Sequence, residues 1–141
     1  MEKLNDTTRV LMDTRFGHDN RIALATAEDG TPSVRTVNAY YEDGAFYVIT
    51  HARSNKMRQL EKNPAAAVCG DWFTAHGIGG SIGHPQDACN AALMSKLRAA
   101  FASWYTNGHV NEADPATCIL RIRLTDGVLM DHGARHEIDF T

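Results

Sequence analysis

Three cationic residues, Arg53, Lys56 and Arg58, lie within a short stretch that also contains Ser54 and Asn55. The stretch follows the apolar run AFYVI without a turn-rich spacer, so it marks the point at which a strand gives way to a helix. Free amides at the start of a helix attract anions, lysine supplies a point charge and arginine a forked contact. The pattern is typical of a phosphate site, and it is equally typical of a charged surface that solvates a short helix.

A second segment brings a further cation to the same place. Arg35 belongs to the predicted strand 33–41, which a tight turn joins to the predicted strand 45–50. Because two strands joined in this way pair antiparallel, we expect Arg35 to lie near the 50–58 segment. Phosphate binding would then have three contributors from two parts of the chain: Arg35, Lys56 and the amides at the helix start.

The elements that position these residues are mostly short strands. Strands are predicted in segments rich in β-branched, aromatic and small apolar residues, at 21–27, 33–41, 45–50 and 65–73. Asp29-Gly30 and the segment 42–44 carry hairpin signals, because their residues accept positive φ. These features predict an antiparallel meander.

Two helices are predicted in the first half of the chain. Leu4, Val10, Leu11 and Met12 indicate a short opening helix. A second helix is predicted to begin at Ser54, whose hydroxyl is a suitable N-cap, and to end at Asn63-Pro64. Met57 and Leu60 then share one face of that second helix.

The second half of the chain is harder to assign. The segment HGIGGSIGHP (76–85) is compatible with a bulged strand or with a loop. A helix is predicted to start near Pro85 and to end at Asn107-Gly108, with an apolar stripe at helical spacing formed by Leu93, Leu97, Phe101 and Trp104. Alternation in 117–132 predicts a strand, and Asp126-Gly127 is expected to turn it into a final one.

Together these elements predict a single domain, 1–141, of the α+β, mainly β class. The expected architecture is an antiparallel six-stranded split β-barrel with flanking helices, because closing the sheet removes exposed strand edges. A chain of 141 residues is long enough to bury a sizeable core.

The net charge, the apolar stretches and the cysteines limit which partners and which cellular compartment are expected. A net charge of −3 and a pI near 6.1 give no reason to expect a nucleic-acid partner. No apolar stretch approaches the roughly 20 residues that cross a bilayer, and the charged N-terminus is unlike a secretory signal. Three widely spaced cysteines favour reduced thiols, so we expect a cytoplasmic protein.

Several catalytic signatures are absent from the sequence. The glycine-rich segment does not fit G-x-G-x-x-G because position 82 is isoleucine, and there is no G-x-x-x-x-G-K. The seven histidines include no H-E-x-x-H and the cysteines no C-x-x-C, so no metal site is expected. Ser81 lies in GGSIG rather than G-x-S-x-G, which argues against a hydrolase.

The ordered set of motifs in SVRTVNAYYEDGAFYVITHARSNKMRQLEKNP resembles the FMN-binding split barrel of pyridoxamine 5′-phosphate oxidase and its relatives. The shared features are an R-x-V strand, an acidic-glycine turn, an aromatic strand ending in threonine, an S-x-K helix start and a Q-L-E-x-N-P helix end. The resemblance is clear over roughly residues 20 to 75 and looser elsewhere. It implies a homodimer that holds FMN at the subunit interface.

The resemblance also implies which residues contact the cofactor. They come from the R-x-V strand, from the strand that ends in threonine and from the helix start: Arg35, Thr36, Val37, Asn38, Ile49, Thr50, Ser54, Asn55 and Lys56. To these we add Trp72, which lies at a predicted strand end and is suited either to wall a flat ring or to pack in the core.

The sequence departs from the true oxidases at several positions. Tyr40 stands where they carry a substrate-binding lysine, and Asn55 stands where they place an arginine. Arg135-His136 resembles a substrate-binding pair, but the surrounding motif is absent. Oxidation of pyridoxamine phosphate is therefore not carried over.

We expect an FMN-dependent oxidoreductase acting on a small molecule or electron donor. His76 and His132 are candidate proton donors. The alternatives are a non-catalytic flavin carrier or sensor, a haem-binding relative with a histidine ligand, and a protein that uses a deazaflavin.

Overall fold

The computed structural model describes residues 1–141. The strands are β1 (Glu2–Lys3), β2 (Asn20–Glu28), β3 (Thr31–Glu42), β4 (Ala45–His51), β5 (Ala65–Gly70), β6 (Phe73–Ser81), β7 (Thr117–Asp131) and β8 (Ala134–Asp139). The helices are α1 (Asp6–Phe16), α2 (Asn55–Lys62) and α3 (Ala91–Ala100), with a 3-10 turn at Ala88–Asn90 and a π-helical turn at Tyr105–His109. None of these helices combines the length and the apolarity that a membrane crossing requires.

Six strands close into an antiparallel barrel in the order β2, β3, β4, β7, β6, β5, and β5 pairs back with β2. The second half of β7 also pairs with β8, and β8 pairs in parallel with β1. The prediction of a mainly β protein with a six-stranded antiparallel barrel and flanking helices is confirmed.

Strands β3 and β4 diverge soon after the hairpin that joins them. They pair only through Tyr40–Glu42 of β3 and Ala45–Tyr47 of β4. Beyond that point β3 pairs only with β2, and β4 pairs only with β7. The facing edges, 31–39 and 48–51, therefore have no strand partner across the gap, and this gap splits the barrel.

The barrel interior is apolar at one end and polar at the other. At the apolar end, α1 inserts Phe16 between Phe46 and Phe73, with ring centroids 5.5 and 5.3 Å away. Tyr41 packs against Phe46 at 5.5 Å. At the polar end, α2 lies across β2 and β6 and buries Met57, Gln59 and Leu60.

The short helix α2 matches its sequence prediction closely. Ser54 is the N-cap, and its hydroxyl accepts a hydrogen bond from the Met57 amide at 3.4 Å. Asn63 ends the helix before Pro64. Met57 and Leu60 are both buried, which confirms the predicted apolar face.

The predicted strand 65–73 is wrong at its end. It stops at Gly70, because Asp71 and Trp72 form the turn to β6, with Trp72 at a positive φ of 50°. The glycine-rich segment that follows belongs to β6 as far as Ser81, with a bulge between His76 and Gly77. Of the two interpretations of that segment, the bulged strand is confirmed up to Ser81.

The predicted turn at Asp126-Gly127 is also wrong. Strand β7 continues through it to Asp131, and the turn to β8 lies at His132-Gly133, where both residues have positive φ. Gly127 instead allows β7 to pack closely against Phe73 and Ala75 of β6. A Cβ at that position would lie 3.1 Å from the Ala75 Cβ and from the Phe73 ring.

The third helix is shorter than predicted. The Asn90 side chain donates to the carbonyls of Ile82 and His84, which keeps the residues after Ser81 in a loop, so α3 begins only at Ala91. The helix ends at Ala100, and Trp104 therefore lies beyond it. Gly108, at φ 104°, allows the chain to leave the π-helical turn.

Candidate functional site

A cleft of about 450 Å³ opens where β3 and β4 diverge. Five of the residues predicted from the sequence line it together: Val37, Asn38, Ile49, Thr50 and Lys56. The cleft therefore exposes edges that lack a strand partner, and such edges offer main-chain groups to a ligand. Its volume is within the range of small-molecule and cofactor sites.

Lys56 reaches the cleft from the first turn of α2 and is partly buried. Burial, together with the nearby Arg35 guanidinium, lowers the pKa of the Lys56 ammonium. Neither cation forms an ion pair with a carboxylate. Two adjacent cations without a counter-charge are unfavourable, and a bound anion relieves that cost.

Arg35 faces the barrel interior, where main-chain and side-chain acceptors hold its guanidinium. One Nη atom donates to the Leu24 carbonyl at 3.2 Å and to the Thr26 hydroxyl at 2.7 Å. The other Nη donates to the Gln59 amide oxygen at 3.4 Å, and Thr26 donates to the same oxygen. Burial lowers the pKa of Arg35. All three acceptors are neutral, so Arg35 keeps an uncompensated charge.

Sequence reasoning missed both Thr26 and Gln59, which are 3% and 7% exposed. A buried threonine in a strand and a buried glutamine in a helix have no signature of their own.

The other side of the cleft is formed by the segment after α3. The Trp104 indole N–H donates to one Asp19 carboxylate oxygen at 2.9 Å, and the Asn38 amide donates to the other at 3.0 Å. Asp19 thus joins this segment to β3. His109 and Arg21 also line the cleft here. The sequence predicts only that Asn38 belongs to the site. It does not predict the contacts with the segment after α3, because that segment lies far along the chain from β3.

The remaining residues predicted on β3 and α2 have different surroundings. Thr36 is exposed on the outer side of β3. Ser54 is partly buried and its hydroxyl caps α2. Asn55 is exposed and accepts from Arg58 at 3.3 Å. The structure places Ser54 and Asn55 beside Lys56 at the start of the helix, while Arg58 turns away to pair with Glu28.

Trp72, His76 and His132 do not line the cleft of their own chain. Trp72 is 72% exposed at the β5–β6 turn. His76 lies on the outside of the barrel, where it pairs with Asp126 at 2.9 Å. His132 lies in the β7–β8 turn with its side chain almost fully exposed.

The outside of the barrel carries an apolar face of small residues, which we call the outer face. It is a shallow depression of about 340 Å³, formed by the outward residues of β2, β3, β5, β6 and β7: Ala23, Ala25, Val34, Ala67, Cys69, Thr74, His76, Asp126 and Val128. Val34 is 71% exposed there. An exposed apolar face is a candidate contact surface for another chain.

The split barrel with a cleft between diverging strands defines the structural class of this protein. A family model described as "Pyridoxamine 5′-phosphate oxidase" matches residues 12–130. The chain therefore belongs to the pyridoxamine 5′-phosphate oxidase family, within the FMN-binding split-barrel superfamily.

Comparison with curated proteins gives a local match within that family. The chain is 44% identical over 56 residues to a pyridoxine/pyridoxamine 5′-phosphate oxidase from Rippkaea orientalis. The matched segment covers 38% of this chain and 26% of the relative. The chain thus matches about a quarter of the length of this relative.

Comparison with solved structures supports the fold over most of the chain. An FAD-binding protein from Mesorhizobium loti has a TM-score of 0.66 at 15% identity, covering 84% of this chain and 90% of its own. A pyridoxamine 5′-phosphate oxidase-related, FMN-binding protein from Nostoc punctiforme gives 0.55 at 19% identity, covering 92% and 81%. A haem-binding protein from Mycobacterium smegmatis gives 0.65 at 16% identity, covering 86% and 53%.

Proposed function

We propose that this protein binds FMN in the cleft between β3 and β4 and acts as a flavin-dependent oxidoreductase on a small molecule. One observation carries the proposal. Lys56 lines the cleft, and Arg35 lies behind it in the barrel interior, close enough to lower the pKa of Lys56. The pKa of Arg35 is lowered too, and neither cation has a carboxylate partner. A phosphate group supplies the counter-charge that this pair lacks, and charge-assisted contacts to phosphate are among the stronger hydrogen bonds in proteins.

The residues present fit an FMN molecule along the length of the cleft. Lys56, Arg35 and the amides at the start of α2 would hold the phosphate. The ring would lie along the free edges at Val37-Asn38 and Ile49-Thr50, whose main-chain groups suit its polar rim. FMN supplies hydride and single-electron chemistry when bound, and the protein supplies binding, orientation and exclusion of water.

Loss of both cations is the direct test of this site. In the Arg35→Ala, Lys56→Ala double variant we expect FMN affinity to fall at least about 100-fold, because two charge-assisted contacts are removed. Riboflavin, which lacks the phosphate, should lose much less. Fluorescence titration measures both constants, and Arg123→Ala, an exposed arginine outside the cleft, is the matched control. Equal losses for FMN and riboflavin, or unchanged FMN binding, contradict the phosphate assignment.

Reduction of the bound flavin separates an oxidoreductase from a carrier or sensor. We expect anaerobic addition of a reduced nicotinamide nucleotide to bleach the flavin absorbance of the FMN-loaded protein at a rate that saturates with nucleotide concentration. A protein that binds FMN but shows no enzymatic reduction by any small-molecule donor is a carrier or sensor instead. A deazaflavin, tested in the same binding assay, competes with FMN if it is the physiological cofactor.

We also propose that a second copy of the chain covers the outer face. Its alanines allow close approach of another backbone, and its one carboxylate, Asp126, contacts His76. Trp72 is outside the cleft of its own chain, so it can contribute to a flavin site only from that second copy. Analytical ultracentrifugation should show a dimer, which Val34→Asp converts to monomers. A monomeric parent protein contradicts this part of the proposal.

Haem binding is a second candidate, because His109 is the histidine that lines the cleft. Imidazole is a usual axial ligand of haem iron. If haem is the true ligand, titration produces a Soret band that His109→Ala abolishes, and His76→Ala, outside the cleft, leaves unchanged. Absence of a Soret band removes this candidate.

A further inference from the structure

The cleft carries a second cation besides Lys56, namely Arg21, which lies apart from Arg35. Arg21 pairs with Asn38 in the β2–β3 register, and Leu24 pairs with Arg35. The two arginines are therefore three register positions apart, about 10 Å along the strands. Because side chains alternate across a strand, they also point to opposite faces of the sheet: Arg35 inward and Arg21 outward. A single phosphate group cannot bind both arginines.

Arg21 lines the cleft and is exposed. Its guanidinium forms no ion pair, and no hydrogen bond from its side chain to the protein is present. An arginine that faces a cavity with its whole donor fork free is suited to a carboxylate or a phosphate, both of which accept two parallel hydrogen bonds.

His109 lines the same cleft. Its ring meets the Trp104 ring edge-on, with centroids 6.4 Å apart. Trp104 is fixed to Asp19, and Asp19 is fixed to Asn38, the register partner of Arg21. Trp104, Asp19 and Asn38 thus link the imidazole to the strand position beside Arg21, and neither ring nitrogen of His109 has a protein partner.

The neighbouring charges favour an anion in this position. Asp19 is the carboxylate beside Asn38, and both of its oxygens already accept hydrogen bonds, from Trp104 and from Asn38. The residues that line the cleft include Arg21, Lys56 and His109 but no aspartate or glutamate. The charged side chains that line the cleft, Arg21 and Lys56, are therefore both cationic, with Asp19 behind Asn38 and Trp104, and cations on a concave surface attract ligands of the opposite sign.

We propose that Arg21 and His109 bind a small organic anion, through its carboxylate or phosphate group, at a position separate from Lys56 and Arg35. The inference rests on the proposed function in one respect: that anion is then the substrate presented to the flavin. Arg21 contributes the forked contact, and His109 contributes a ring N–H donor. Asp19 and Trp104 act as positioning residues for His109.

The experiment is an NMR titration of the full chain, which observes the His109 ring and the Arg21 side chain. The probes are benzoate, phenyl phosphate and the neutral benzamide, each added to the flavin-free protein and to the protein loaded with FMN. We expect either anion, but not benzamide, to shift both sets of signals. The anion that binds more tightly distinguishes a carboxylate substrate from a phosphate ester.

Substitutions test which residues bind the anion. Arg21→Gln should weaken the anion about tenfold, as the loss of a charge-assisted contact predicts, and His109→Gln should weaken it less. Arg123→Gln, an exposed arginine outside the cleft, should have no effect. An equal response to benzamide overturns the inference, and so does anion binding that Lys56→Gln abolishes and Arg21→Gln preserves. If the anion binds as expected but FMN does not, the proposed function fails and the anion site stands.

Discussion

The two ends of the barrel interior contain different kinds of side chain, aromatic at one end and polar at the other. Beneath α1, the rings of Phe16, Phe46 and Phe73 pack against one another. Beneath α2, the same interior holds Arg35, Thr26 and Gln59 in a hydrogen-bonded set. A partly buried guanidinium loses hydration, a cost that an apolar side chain in the same place does not have.

The difference indicates that the two ends of the core have different roles. The aromatic end stabilises the closed part of the barrel, where β3 and β4 are still paired. The polar end lies where they have separated, and its neutral acceptors hold Arg35 without cancelling its charge. Substitutions at the first end should therefore change stability, and substitutions at the second should change ligand binding.

The largest expected effect is at the aromatic end. Phe46 is fully buried and contacts Phe16, Tyr41 and Phe73. Phe46→Ala should lower the free energy of unfolding by about 3–5 kcal/mol, because it leaves a cavity that the surrounding rings cannot fill. Urea denaturation measures this loss. FMN affinity of the folded fraction should stay within about twofold, and a larger loss of affinity would show that the two ends are coupled.

An intermediate effect is expected at Gln59. Gln59→Glu places a carboxylate against Arg35 and neutralises it, so FMN affinity should fall about tenfold while riboflavin affinity is kept. Gln59→Leu tests positioning alone: the charge of Arg35 remains, but one of its acceptors is lost. The ratio of FMN to riboflavin affinity, measured by fluorescence, separates the two variants. A Gln59→Glu protein with an unchanged ratio means that Arg35 does not contact the phosphate.

The smallest effect concerns Lys56 and pH. Its pKa is lower in the folded protein than the usual 10.5. The folded state therefore binds the lysine proton less readily than the unfolded chain does. This reduces stability below the folded pKa, and the deficit disappears as pH rises from that value towards 10.5.

Lys56→Gln should therefore raise the free energy of unfolding of the flavin-free protein at pH 7, by less than about 1 kcal/mol because the side chain is partly solvated. The gain should shrink as the pH is raised. FMN binding should respond in the opposite sense and weaken as pH rises through the pKa of Lys56. Denaturation curves and FMN titrations at several pH values test both trends, and a variant less stable than the parent at pH 7 contradicts the first.

Much of the first half of the molecule is predictable from local sequence. The meander, the Ser54 cap and the end of α2 at Asn63 each follow from neighbouring residues, and the structure has all three. The proximity of Arg35 to α2 is also predictable from the sequence, because it depends only on the β3–β4 hairpin and on the helix that follows β4. Local signals are sufficient where the elements that meet are consecutive in the chain.

The segment from Trp104 to Val110 could not be placed in this way. Its position depends on the hydrogen bond between Trp104 and Asp19, residues 85 apart in sequence, and no local pattern announces such a contact. The turn predicted at Asp126-Gly127 is wrong for a related reason. It has the composition of a turn, but the packing of Gly127 against Phe73 and Ala75 keeps it inside a long strand.

The divergence of β3 from β4 has a consequence for handling the protein. It leaves two stretches of backbone with donors and acceptors ready to receive a strand, and such stretches promote association of one chain with another. A cofactor that occupies the gap also blocks this route to aggregation. Preparations purified with the gap filled should therefore remain clear on concentration, and stripped preparations should be the ones that precipitate.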